Sequence, residues 1–189
     1  MKKQELVEEI YKELMARRLR NADILMHIPD EELRIIKGHI LIEEVLFELI
    51  KIKMSKPKVI ENARLSFSQA LTIVEGMYFQ EELQIPWLYR ATEKLNRLRN
   101  KFAHNIDPKN IREDIDAFMD YVIKNNASKG NFPKDKLLYS LGSLHINFAS
   151  ILAMEKKLAL LPKQFSSMSF PVRVSLTKLM AKGVLDDFA

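Results

Sequence analysis

Apolar residues recur along this chain at helical intervals rather than in alternation. The densest run is IIKGHILIEEVLFELIKI, residues 35–52. Ile36, Ile40, Phe47 and Ile50 form one stripe, and Leu41, Val45, Leu49 and Ile52 form a second. Lys37, Glu44, Glu48 and Lys51 leave only one polar strip, and a helix apolar on most sides belongs at the centre of a fold. Pro29-Asp30 precedes this run, with Asp30 placed to cap a helix over 31–53. The same reasoning predicts helices over 3–20, 59–78 and 86–104. A further helix is predicted over 108–124, with Asp107 as cap and Pro108 in its first turn. Two more follow, over 134–158 and 172–182.

These elements predict an all-α fold, an antiparallel helical bundle with additional C-terminal helices. The clearest linker signal is NNASKGNFP at 125–133. It divides the chain into a bundle over 1–126, including the N-terminal helix, and a C-terminal extension over 127–189. LLPKQFSSMSFP at 160–171 reads as a loop.

Composition agrees with this reading. Of 189 residues, 47% are hydrophobic and 29% charged, while 5 glycines and 7 prolines are few for a turn-rich β fold. With no cysteine there is no disulfide and no thiolate metal site, which suits a reducing cytoplasm. The first residues are charged throughout, and no run of about 18 apolar residues is present, so neither a signal segment nor a membrane span is expected. A net charge of +5 permits contact with nucleic acid or another anion.

The basic residues concentrate in LNRLRNKFAHNIDP at 95–108. At about 100° per residue, Trp87, Leu88, Ala91, Leu95, Leu98 and Phe102 share one face. Arg90, Glu93, Arg97, Asn100, Lys101 and His104 share the other. His104 falls at the helix end, where the dipole favours an imidazolium. Arg99 stands apart, near the edge of the apolar face. A buried guanidinium needs a carboxylate, and Glu43, set within an apolar stripe of the second helix, is the expected structural partner of Arg99. His27, His39 and His145 show no metal-ligating spacing, and no phosphate-binding glycine loop or nucleophile elbow occurs. No metal and no cofactor is therefore expected. MARRLR at 15–20 reads as basic solvated surface.

Arg99-Asn100-Lys101-Phe102-Ala103-His104 fits the pattern of an arginine, a polar residue, three more residues and a histidine. Within LNRLRNKFAH it resembles the HEPN superfamily (higher eukaryote and prokaryote nucleotide-binding domain). GHILIEEVLFELI is similar to the second-helix pattern of a branch related to the mannitol-operon repressor. The resemblance spans roughly 31–125. It implies an α-bundle that forms a homodimer, with two motifs brought together across the two-fold. Many members are metal-independent endoribonucleases, often toxins of toxin–antitoxin pairs or effectors of antiviral defence. That implies RNA as substrate and a small antitoxin or regulatory protein as partner. Arg99, Asn100 and His104 would then be catalytic, and Arg97 and Lys101 would contact RNA phosphates. Other members regulate without cutting, which gives the alternative reading of a non-catalytic, protein-binding module.

Overall fold

The computed structural model describes residues 3–78, 85–105, 107–126 and 134–159, with side chains from residue 8 onward. They form an all-α helical bundle of seven helices: α1 (Lys3–Met26), α2 (Glu31–Lys53), α3 (Lys58–Asn62), α4 (Phe67–Tyr78), α5 (Pro86–His104), α6 (Ile111–Asn126) and α7 (Lys136–Leu158). The helix predicted over 172–182 and the loop at 160–171 lie outside the described residues, as do residues 127–133 of the linker.

α2 is central. It packs against α7, α4, α5, α1 and α3, and Ile35, Ile42, Val45, Leu46, Leu49 and Ile50 along it are fully buried. Asp30 caps it, accepting a hydrogen bond from the Leu33 amide at 2.6 Å, which satisfies one of the free N–H groups of the first turn. The phase of the predicted stripes needs one correction. Ile40 is 40% exposed and Ile36 is half-buried, because α2 is covered on the Ile35–Ile42–Leu46–Leu49 side.

α7 packs into the same core. Leu137, Leu141, Leu144, Phe148, Ile151, Leu152 and Leu158 join the cluster built on α2. It is long and apolar enough to cross a membrane by composition, contrary to the expectation of no such run, yet most of it is buried within the bundle. It packs tightly on α2 at Gly38, where an added Cβ would lie 2.8 Å from a Leu141 methyl carbon. Asp135 caps α7 through the Leu138 amide at 2.8 Å and also pairs with Arg34 Nη1 at 2.7 Å. Arg34 in turn donates to the Ile28 carbonyl, so one guanidinium ties the α1–α2 connection to the start of α7.

Three predicted elements differ, the first being α1, which runs on to Met26 rather than ending at Arg20. The single helix expected over 59–78 is broken into α3 and α4. Arg64 lies between them at φ 46, a left-handed conformation that does not continue a right-handed helix. Ser66 and Gln69 then start α4 as a capping box. The Ser66 amide donates to Gln69 Oε1 at 2.9 Å and the Gln69 amide to Ser66 Oγ at 3.3 Å. Likewise α6 begins at Ile111 rather than Pro108, because Asn110 adopts φ 58. Only after it does the ladder start, with the Asp114 amide donating to the Asn110 carbonyl at 3.1 Å.

Candidate nucleotide-binding cavity

α5 presents its predicted apolar face to the core. Leu88, Ala91, Leu95 and Leu98 are buried, joined by Tyr89 and Thr92, while Trp87 and Phe102 are half-buried. Rotation of the helix is thereby fixed. Arg90, Glu93, Arg97, Asn100 and His104 are exposed, and Arg99 is half-buried at the border.

At that border lies a cavity of about 440 Å³, lined by His39 and Glu43 of α2, Ser66, Phe67 and Ser68 at the start of α4, and Asn96, Arg99 and Asn100 of α5. Ligand sites commonly occupy about 300–1,000 Å³. Arg99 donates from Nη1 to Asn100 Oδ1 at 3.2 Å, which steadies the guanidinium.

Glu43 and Arg99 share this cavity without forming the direct ion pair expected of them: none joins them among the described residues. Each still feels the other. Burial raises the Glu43 carboxyl above its ordinary range, and the Arg99 charge partly opposes this. The physical reason for the separation is that both groups have only partial burial. Each keeps some solvent, so neither is forced to collapse onto the other.

His39 is the residue that the sequence did not flag. It is 4% exposed, stacked on Phe67 with ring centroids 3.9 Å apart and planes at 28°. Its Nε2 donates to Asn96 Oδ1 at 3.1 Å. Burial, with a smaller contribution from the Arg99 charge, pushes its pKa down from 6.5 to about 4, although the Asn96 bond acts in the opposite direction. The ring is therefore neutral at pH 7, with Nδ1 left as an acceptor.

The remaining sequence candidates divide. Lys101 turns away toward α6 and pairs with Asp114, so it is not a free phosphate contact. Arg97 is exposed. His104 is exposed on the last turn of α5, outside the cavity lining, and among the described residues no hydrogen bond or ion pair holds it. Asn100 and Arg99 are thus brought together, and His104 is presented separately, one turn further on.

Elsewhere, Arg17 of the basic stretch at 15–20 is not solvated surface. Its side chain is 15% exposed and it pairs with Glu48 at 2.7 Å and Glu44 at 3.8 Å. His145 is buried against Asn21, Nε2 to Nδ2 2.8 Å. Burial, with Arg17 and Arg20 nearby, lowers its pKa to about 4. No group of three or more His, Asp or Glu side chains suited to a metal ion occurs among the described residues.

Ser66, Phe67, Ser68 and Asn96 complete the cavity and were also not singled out from sequence. Ser-Phe-Ser-Gln carried a capping-box spacing that marks the start of α4, but nothing local points Asn96 at His39. Comparison of the chain with protein-family models, curated proteins and solved structures finds no match.

Proposed function

We propose that this chain is a metal-independent endoribonuclease of HEPN type that acts as a homodimer. The observation that carries the reading is the split presentation of the motif on α5. Arg99 and Asn100 line a cavity of ligand size, and His104 stands open at the helix end. An arginine steadied by an amide suits the planar oxygens of a phosphodiester.

In this reading the RNA 2′-oxygen attacks the adjacent phosphorus and its proton passes to a neutral His104. The bond from phosphorus to the 5′-oxygen breaks, and that oxygen takes a proton from the imidazolium of His104 in the second copy. The products are a 2′,3′-cyclic phosphate and a free 5′-hydroxyl. Histidine serves both roles because its ordinary pKa lies near working pH. Arg99 supports charge on the pentacoordinate phosphorus, Asn100 orients the phosphate, and exposed Arg97 contacts a flanking one. A toxin or defence role, with a small neutralising protein as partner, belongs to the same proposal.

The test is incubation of the full chain with total RNA in EDTA, alongside His104→Ala and Arg99→Ala. Cleavage by the wild type, lost in both variants, supports the enzyme. Absence of cleavage by a dimeric wild type removes it. A non-catalytic regulatory module is the second reading, favoured by one specific observation: nothing among the described residues orients His104, whereas a general base is ordinarily held by a partner. RNA bound but uncut would select it.

A further inference from the structure

We propose that the cavity between α2, α4 and α5 is a guanine-binding pocket. Its role as the determinant of where RNA is cut rests on the endoribonuclease reading; the binding itself does not.

Two opposite charges, Glu43 and Arg99, line one cavity without touching. A bare phosphate would satisfy Arg99 and be repelled by the Glu43 carboxylate. A ligand that satisfies both must offer acceptors on one side and donors on another. Among the four bases only guanine does so fully. Its O6 and N7 accept two hydrogen bonds from a guanidinium. Its N1–H and N2 amine together give two donors to one carboxylate. Adenine has a single exocyclic donor group beside ring acceptors. Cytosine also has one, and uracil's one N–H is flanked by acceptors.

The rest of the lining combines one apolar side with short polar groups. The buried Phe67 ring, one face covered by His39, closes the cavity on its apolar side. Ser66, Ser68, Asn96 and Asn100 add short polar groups around it. Asn96 is already committed to His39 through Oδ1, so its amide N–H₂ is left to donate. Arg99, which reads the base here, then also stands beside the scissile phosphate in the enzyme reading. That places the guanine next to the cut.

The experiment is calorimetric titration of the full chain, in EDTA, with the monophosphates of guanosine, adenosine, cytidine, uridine and inosine. Guanosine monophosphate is expected to bind about tenfold or more tightly than the other three RNA bases, the scale of one bidentate base contact. Inosine monophosphate, which lacks the N2 amine, is expected to bind several-fold more weakly than guanosine monophosphate. Glu43→Gln should bring guanosine down to the level of adenosine, whereas Lys101→Ala should leave the preference unchanged. Equal affinity for all four, no binding of any, or an intact preference in Glu43→Gln would overturn the pocket. The guanosine–inosine comparison needs no variant, so a folding defect in Glu43→Gln, read by circular dichroism, leaves the test standing. Selective guanosine binding without RNA cleavage keeps this inference and removes the enzyme. Cleavage with no base preference and no selective binding does the reverse.

Discussion

Among the described residues, two buried imidazoles are the groups most perturbed by lowering the pH from about 7.5 to 5. His39 and His145 are 4% and 3% exposed, and burial lowers both from 6.5 to about 4. Below 6.5 the unfolded chain takes up two protons that the folded chain refuses, so folding stability falls as pH falls through the window from 6.5 to 4. One pKa unit corresponds to about 1.4 kcal/mol, which gives a loss of about 2 kcal/mol for each histidine by pH 5, or about 4 kcal/mol for the pair. Glu43 acts weakly in the other direction. Its folded carboxyl is raised by burial, so it is protonated before its unfolded counterpart and returns some stability. Urea unfolding at closely spaced pH values measures the slope. The expected result is a steep decline between pH 6.5 and 5 in the wild type, flattened in His39→Gln/His145→Gln. A wild-type profile that stays level over that window, or a slope the double substitution leaves unchanged, would refute the claim that both rings are held neutral.

Other expectations concern single sites. Asp135→Ala should cost about 1 kcal/mol through the lost α7 cap and somewhat more through the broken Arg34 pair, measured as a shift in the urea midpoint. Gly76→Ala should raise stability by about 1 kcal/mol, since it is a helical position with nothing within 4 Å of an added Cβ; a lower melting temperature would contradict this. Lys53→Met should destabilise by about 3 kcal/mol, because it strands the 5%-exposed Glu155 carboxylate now held at 2.6 Å. Adding Glu155→Leu should recover most of that loss, and a double variant as unstable as the single one would show that the pair's charge is not what matters.

Much of the bundle could be read locally. The bounds of α2 and α5 coincide with those read from periodicity, and Asp30 caps as expected, because both features depend on residues within a turn of one another. The face of α5 was legible for the same reason, down to Arg99 at its border. What escaped depends on distant residues. Periodicity placed His39 in an apolar run but not against Asn96, 57 positions away. It gave Arg99 a partner on α2 but not the partial solvation that keeps Glu43 apart from it. The breaks at Arg64 and Asn110 are single left-handed residues, neither of them glycine, and only the asparagine is a residue type that signals such a turn.

Gly38 has a consequence for how the two longest-packed helices find each other. With no side chain at that position, α2 carries a notch, and the isobutyl group of Leu141 fills it like a bolt. Sliding α7 along α2 would pull the Leu141 isobutyl group out of the notch and against neighbouring residues that carry side chains. The register of α7, and with it the meeting of Asp135 with Arg34, is therefore set by an atom that this one residue lacks.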